Sequence, residues 1–287
     1  MKIVFVIGAR PNFIKAAPVI SSFKQNTNFK YVVIHTGQHF DDNMSHIFLK
    51  QLNIDKPDFN LRAGSGSHAR QTANIMIQIE KVLLKVKPDW MFVFGDVNST
   101  IAAALVAKKL NINVAHVESG LRSFDMTMPE EINRIVTDRI ADLLFVTEQS
   151  GLDNLKKEGI SDKKICFVGN TMIDSLVAMI PDINNKMILK KLKLNENGYV
   201  LVTLHRPSNV DDIKRLNMVI NKIAEWSDGM EIIWPVHPRV DRKRLIIDNN
   251  KWRLIEPIGY IEFLKLMKES FCVFTDSGGI QEETSFL

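Results

Sequence analysis

The chain has 287 residues, 45% of them hydrophobic and 24% charged, with a formal net charge of +4. This composition is typical of a globular protein with one large domain or two ordinary ones, and it excludes disordered and solenoid-repeat classes. No stretch approaches the ~18 apolar residues of a membrane helix, and no basic patch interleaved with aromatics indicates a nucleic-acid partner.

Short apolar runs alternate with amphipathic segments through the first part of the chain. The predicted strands cover residues 2–8, 31–37, 90–96, 112–118, 143–147 and 164–170. The predicted helices lie near 12–24, 68–86, 98–109, 130–141 and 149–158. The strands are continuously apolar rather than alternating, which is typical of a parallel sheet covered on both faces.

The pattern pauses near 169–185 and then restarts. Further strands are predicted at 199–205, 231–237, 253–258 and 271–276, with helices near 211–226, 239–248 and 260–269. We therefore predict an α/β protein of two Rossmann-like domains, 1–170 and 171–287. Cys166 and Cys272 lie in apolar runs, and two separated thiols favour a reducing, cytoplasmic location.

The first strand is followed by a turn that suits an anion. Gly8 permits a tight turn, and Arg10 and Lys15 flank the start of the next helix. A helix N-terminus with two cations is a good anion site, although an ordinary turn with solvated charges explains the same residues.

Carboxylates end the third and fourth predicted strands. Asp96 ends one strand and could cap the following helix. Glu118 ends another, where a cap does not explain it. Glu130 and Glu131 follow Pro129 and suit the positive end of a helix, so helix stabilisation alone could account for both.

The second half offers a histidine and a phosphate-binding turn. His205 ends a strand just before Pro207, and it is either structural or a general acid or base. Ser277, Gly278 and Gly279 present backbone N–H groups at a helix start, which suits a diphosphate. Glu283 on the first turn could accept hydrogen bonds from a ribose. No dinucleotide or P-loop fingerprint is present, so neither NAD nor a P-loop nucleotide is indicated. The carboxylates and the histidine at strand or loop ends, together with the phosphate-binding turn, predict proton chemistry on a nucleotide-linked substrate.

Taken together, the motifs resemble one family along the whole chain. They are "GARPNFIK", "TGQH", "GDVNST", "HVESGLRS", "PEEINR", "GNTMID", "TLHRPSN", "PVHPR" and "TDSGGIQEE", in this order. The chain resembles the non-hydrolysing UDP-N-acetylglucosamine 2-epimerases. The resemblance implies a glycosyltransferase-B-like fold, with an active site between two domains.

The reaction that the resemblance implies is reversible epimerisation of UDP-GlcNAc to UDP-ManNAc, for cell-surface polysaccharide precursors. UDP is eliminated to give a 2-acetamidoglucal, and it then re-adds; neither a cofactor nor a metal is needed. A homodimer is also implied.

The resemblance also assigns roles to residues. The family's catalytic groups correspond to Asp96, Glu118, Glu130 and His205. Substrate binding is implied for Arg10, Lys15, Tyr260, Ser277, Gly278, Gly279 and Glu283. Positions resembling an allosteric UDP-GlcNAc site are Gln38, Arg70 and His237.

Two departures from the family pattern bear on these expectations. Pro207, Ser208 and Asn209 stand where many members have Glu-Asn, which could tune specificity toward a modified N-acetyl sugar. The family also continues past "SGGIQEE" with further elements. We therefore expect a C-terminally truncated chain with an incomplete second domain, poorly stable or inactive as it stands.

Three other functions remain open from the residues. A hydrolysing relative would release ManNAc and UDP, and it shares most of the motifs. A glycosyltransferase of the same fold would need an acceptor and has no obvious use for several acid–base groups around C2. A protein without enzymatic activity would bind UDP weakly or assist assembly.

Overall fold

The computed structural model describes residues 1–26, 28–37, 49, 51–237, 240–248 and 250–287, with the backbone only at residues 10 and 207. The chain divides into two compact units, Met1–Ser175 and Leu176–Leu287. Each unit contains one parallel sheet, and helices lie in the connections between its strands.

The first unit contains a sheet of seven strands. These are β1 Lys2–Ile7, β2 Lys30–His35, β3 Phe59–Asn60, β4 Trp90–Phe94, β5 Asn113–Ser119, β6 Leu143–Val146 and β7 Ile165–Phe167. Their order is β3-β2-β1-β4-β5-β6-β7, and every described pair is parallel. The carboxyl ends of the central strands β1, β4 and β5 therefore lie side by side at one edge.

The second unit contains a sheet of four parallel strands. These are β8 Tyr199–Thr203, β9 Glu231–Pro235, β10 Trp252–Ile255 and β11 Cys272–Thr275. Their order is β10-β9-β8-β11, so the carboxyl ends of β8 and β11 are neighbours.

Helices form where the apolar residues recur with a helical period. The helices are Arg10–Lys24, His68–Val86, Asn98–Lys109, Pro129–Ile140, Gln149–Lys157, Thr171–Asn184, Ile188–Leu192, Pro207–Val210, Ile213–Trp226, Tyr260–Lys268 and Gly278–Phe286. In His68–Val86 the buried Ile75, Ile79 and Leu83 form one stripe, as the spacing of a core-facing helix requires. Among the described residues, no helix is long and apolar enough to cross a membrane.

The predicted strands are all present, but other elements differ from the sequence prediction. The short helices Ile188–Leu192 and Pro207–Val210 were not predicted. The two-residue strand β3 was not predicted. The alternation of strands and helices does not pause at 169–185, because this segment contains the helix Thr171–Asn184. Its buried side chains Leu176, Met179 and Ile183 recur every three or four residues, which is a helical pattern.

The predicted helix at 239–248 is wrong. The described part contains only a short 3₁₀ turn, Arg242–Arg244, which Asp241 caps. Leu245 and Ile247 pack on the core of the second unit, whereas the intervening Ile246 is 71% exposed. This alternation has a period of two, so the segment is extended.

Candidate active site

A buried ion pair lies at the carboxyl edge of the first sheet. The Nζ atom of Lys15 is 2.6 Å from Oε2 of Glu118, and the two side chains are only 9% and 8% exposed. Lys15 comes from the helix after β1, and Glu118 is in β5. Two charges are stable at this depth only when they neutralise each other, so the fold holds a carboxylate and an ammonium group in contact beneath the surface.

Glu118 stands on an irregular part of its strand. The register between β5 and β6 shifts between Val117 and Ser119, which is a bulge at Glu118. The backbone of Glu118 is left-handed, with φ 68°. This conformation costs a residue other than glycine about 1–2 kcal/mol. Bulges re-aim a side chain, and such strain concentrates at functional sites.

Gly95 makes room for the ion pair. It follows β4 and has φ +58°, and an added Cβ atom would lie 3.1 Å from the Lys15 ammonium and 3.7 Å from Glu118 Oε1. A side chain here would therefore be strained and would crowd both charged groups. Asn12 also lies near Gly95. Its side-chain amide donates to the carbonyl of Phe94 at 2.8 Å.

Asp96 does not cap the helix that follows it. Its carboxylate instead binds Arg134, a residue of the helix Pro129–Ile140. The side-chain amide of Asn133 also donates to the backbone carbonyl of Asp96 at 2.7 Å. The cap interpretation is therefore wrong, and Asp96 is held against the helix that carries Glu130.

The two adjacent glutamates of the helix Pro129–Ile140 differ in how deeply they are buried. Glu131 is 1% exposed and accepts the backbone N–H groups of Ser123 at 2.9 Å and Phe124 at 3.0 Å. Burial acts to raise the pKa of Glu131, but these hydrogen bonds and that from Arg134 outweigh it, so the pKa is lowered. Glu131 thus holds the loop before the helix, whereas Glu130 is half-buried on the first turn.

A buried charge network lies behind Glu118, and the sequence did not reveal it. His116 is fully buried; Nδ1 lies 2.7 Å from Asp138 Oδ1, and Nε2 lies 2.8 Å from the carbonyl oxygen of Gly95. Asp138 also pairs with Arg122 at 2.7 Å and accepts the N–H of Gly120 at 3.0 Å. The only signal available was a histidine within the apolar part of β5, since Asp138 stands among other charged residues of its helix.

In the second unit, His205 has a carboxylate partner that the sequence analysis missed. The ring Nδ1 of His205 is 3.0 Å from Oδ1 of Asp276, at the end of β11. Asp276 also accepts the backbone N–H of His205 at 3.1 Å and that of Arg206 at 2.9 Å, and the amide of Asn209 at 3.0 Å. Since a carboxylate only accepts, Nδ1 donates to it, and Nε2 is left to exchange a proton.

The predicted phosphate-binding turn begins a helix. Ser277 is the N-cap of Gly278–Phe286, and its hydroxyl accepts the N–H of Ile280. A Cβ atom added at Gly278 would meet nothing within 4 Å, so the backbone there is open to a ligand. Glu283 lies on the second turn of this helix, not on the first as predicted. Tyr260 and Glu283 are both 2% exposed, and the hydroxyl of Tyr260 donates to the carboxylate of Glu283.

The remaining predicted residues are less informative. Arg70 and His237 are exposed, and the rings of His237 and His205 lie 6.0 Å apart. Gln38 and the side chain of Arg10 lie outside the described part of the structure. Within the described residues, no three carboxylate, histidine or cysteine groups form a metal-binding cluster.

Known proteins resemble this chain along its full length. The UDP-N-acetylglucosamine 2-epimerase family model matches residues 21–287. A UDP-N-acetylglucosamine 2-epimerase of Methanococcus maripaludis is 45% identical over 299 aligned positions, covering 100% of this chain and 81% of the relative. A UDP-2,3-diacetamido-2,3-dideoxy-D-glucuronate 2-epimerase of Pseudomonas aeruginosa is 43% identical, with the same coverage.

A solved structure agrees with these relatives. The crystal structure of Methanocaldococcus jannaschii UDP-GlcNAc 2-epimerase in complex with UDP-GlcNAc and UDP matches at a TM-score of 0.88 and 44% identity, covering 99% of this chain and 81% of that one. The predicted α/β, glycosyltransferase-B-like fold class is therefore confirmed. The chain belongs to the UDP-N-acetylglucosamine 2-epimerase family of isomerases.

Proposed function

We propose that this chain interconverts UDP-GlcNAc and UDP-ManNAc without hydrolysis, in the cytoplasm and as a homodimer, for polysaccharide precursor synthesis. The observation that carries the proposal is the buried Lys15–Glu118 pair, which lies against Gly95, the residue before Asp96, at the edge of the first sheet. Family membership and the epimerase structure solved with UDP-GlcNAc support it.

The proposed reaction is an elimination followed by re-addition. A carboxylate takes the proton from sugar C2, the C2 electron pair forms a C1=C2 double bond, and the C1–O bond breaks as UDP leaves. UDP then attacks C1 of the 2-acetamidoglucal, and a proton is delivered to C2 from the opposite face. Inversion needs acid–base groups on both faces, and we propose Asp96, Glu118, Glu130 and His205 for this work.

The departing diphosphate needs positive charge and N–H donors. We propose that Arg10, Lys15 and the turn at Ser277, Gly278 and Gly279 supply them, since preorganised donors stabilise developing charge. The Lys15 ammonium is already buried next to Glu118.

The nucleoside would be held by buried groups of the second unit. We propose that Glu283 binds the ribose and that the segment at Tyr260 approaches the uracil; the Tyr260–Glu283 hydrogen bond orients the carboxylate. We also propose that Gln38, Arg70 and His237 contribute to an allosteric UDP-GlcNAc site.

Exchange at C2 tests the proposed function. Incubation of UDP-GlcNAc with the protein in D₂O should place deuterium at C2 and yield UDP-ManNAc without accumulation of UDP. A sugar that stays fully protiated at C2 would contradict the proposal. Release of free ManNAc and UDP would instead identify a hydrolysing epimerase.

A modified UDP-N-acetyl sugar is the second candidate substrate. The Pseudomonas aeruginosa relative, which is 43% identical, is named for a diacetamido uronate sugar. Measuring kcat/KM with UDP-GlcNAc and with UDP-2,3-diacetamido-2,3-dideoxy-D-glucuronate distinguishes the two candidate substrates, because the preferred one will have the higher value.

Replacing Asp276 with Asn should lower kcat by about 10- to 100-fold. An Asn amide can present N–H to Nδ1 of His205, which favours the wrong tautomer. Steady-state epimerisation measures the effect. Asn209→Ala, which removes another donor to Asp276 and leaves the histidine contact, should retain kcat within about threefold. Equal losses in both variants would contradict the orienting role.

The same variant should change the pH dependence of stability. Burial acts to raise the pKa of Asp276, but hydrogen bonds from Asn209 and from the N–H groups of Arg206 and His205 outweigh it, so the pKa lies below 3.8. Its stabilisation is therefore fully present above pH 3.8 and lost as pH falls through the folded pKa. Urea unfolding should show a wild-type advantage over Asp276→Asn at about pH 6 that shrinks toward about pH 3; a constant gap would contradict it.

A further inference from the structure

We propose that His116 and Asp138 are positioning residues, and that His116 acts as a buried imidazolium that sets the spacing among the three carboxylates Asp96, Glu118 and Glu130. This inference deepens the proposed function and rests on it. Neither His116 nor Asp138 contacts the reacting groups in our proposal; they act through the elements that carry them.

The charge of His116 follows from its partners. Nδ1 faces a carboxylate oxygen of Asp138 at 2.7 Å, and Nε2 faces the carbonyl oxygen of Gly95 at 2.8 Å. Both partners are acceptors, so both ring nitrogens must donate, and only the imidazolium has two N–H groups. A neutral ring would set a nitrogen lone pair against an oxygen in a fully buried place.

The surrounding charges balance this cation. Asp138 is 1% exposed and its pKa is lowered, since His116 and Arg122 outweigh the effect of burial. Arg122 in turn pairs with Glu158 at 2.7 Å. Two cations and two carboxylates thus alternate along the network, which is the arrangement in which buried charge is stable.

The network joins the three elements that carry the carboxylates. His116 lies in β5, two positions before Glu118. Its Nε2 bond holds Gly95, the residue before Asp96. Its Nδ1 bond holds Asp138, on the helix that carries Glu130. The ring of His116 therefore connects β5, the end of β4 and the helix Pro129–Ile140.

The network also encloses the bulge. Asp138 accepts the N–H of Gly120 at 3.0 Å, and His116 binds Asp138 on the other side of Glu118 in the sequence. Glu118 therefore lies in the sequence between His116 and Gly120, which both hydrogen-bond to the carboxylate of Asp138. Because the backbone of Glu118 is left-handed and strained, it persists only if its neighbours are fixed in this way.

Two substitutions separate the two bonds of the ring. His116→Asn keeps a donor near the position of Nδ1 and loses the contact with Gly95, whereas His116→Gln keeps a donor near Nε2 and loses the contact with Asp138. Both should lower kcat by about 10- to 100-fold, because small displacements of catalytic groups are costly. KM should change by less than about threefold, because substrate binding is left in place.

A matched control lies at the other end of the same strand. Asp142 accepts the Lys108 ammonium at 2.7 Å and the N–H of Val114 at 2.8 Å, near the start of β5. Asp142→Asn should lower the melting temperature but leave kcat within about twofold of wild type. A His116 variant with wild-type kcat, or a kcat loss in Asp142→Asn as large as in the His116 variants, would overturn the positioning role.

The imidazolium is tested on the wild-type protein by a nitrogen–proton NMR correlation of the histidine rings. We expect two ring N–H signals that disappear in His116→Gln; an unprotonated ring nitrogen at neutral pH would overturn the charge assignment. This measurement does not depend on turnover. If the wild-type protein exchanges no hydrogen at C2, the proposed function fails while the NMR result still decides the state of His116.

Discussion

Replacing Glu118 with Gln should lower kcat for epimerisation by about 10²- to 10⁴-fold, the usual contribution of a general acid or base. The substitution keeps the shape and one carbonyl oxygen to accept from Lys15, but it removes the group that can take a proton. It also removes the charge that neutralises the buried Lys15 ammonium, so the variant should be less stable than wild type as well. UDP affinity, measured by calorimetry, should remain within about fivefold of wild type, because the loss is confined to the transition state.

Asp89 provides the control for this experiment. Its carboxylate accepts the backbone N–H of Lys2 at 2.7 Å and lies just before β4, at the edge of the sheet opposite Glu118. Asp89→Asn should retain kcat within about twofold, since nothing at that edge takes part in the proposed chemistry. A Glu118→Gln variant within about tenfold of wild type would exclude Glu118 as an essential acid or base.

Replacing Gly120 with Ala should destabilise the first unit by about 2–5 kcal/mol, from backbone strain and overpacking together. Gly120 has φ +82°, and an added Cβ atom would lie 2.4 Å from the carbonyl oxygen of Gly151. That neighbour is backbone of a packed helix and cannot rotate away. Hydrogen exchange on peptides of the first unit measures the effect without interference from the second.

Replacing Gly159 with Ala separates the cost of backbone strain from the cost of overpacking. Gly159 has a similar φ of +74°, but an added Cβ atom would meet nothing within 4 Å. Gly159→Ala should therefore cost only the conformational part, about 1–2 kcal/mol. Equal losses at the two glycines would show that the contact with Gly151 is unimportant.

The positions of the candidate residues along the chain were predictable, because they depend on local pattern. A short, continuously apolar run rich in β-branched residues is typical of a strand buried on both faces, and the polar residue that ends it lies at the carboxyl edge of the sheet. Asp96, Glu118 and His205 were all found in this way. The 3₁₀ turn Arg242–Arg244 and the extended residues 245–247 were not predicted, because the charged residues before them resemble the polar face of a helix.

The partners of these residues could not be predicted. Asp138 is 22 positions from His116, and Asp276 is 71 positions from the His205 backbone that it binds. Nothing in a single sequence distinguishes these aspartates from the many that face solvent. Their identity depends on which strands and helices become neighbours.

The sequence by itself determined the α/β class, every strand except β3 and the family, since these follow from local apolar pattern and from ordered motifs. Only the tertiary structure decided that Glu118 lies on a strained bulge against Lys15, that Glu131 holds the loop before its helix, and that Asp276 orients His205. The physical reason is that burial makes an unpaired charge costly. Each buried carboxylate must therefore have a partner, and the packing of distant segments chooses which one.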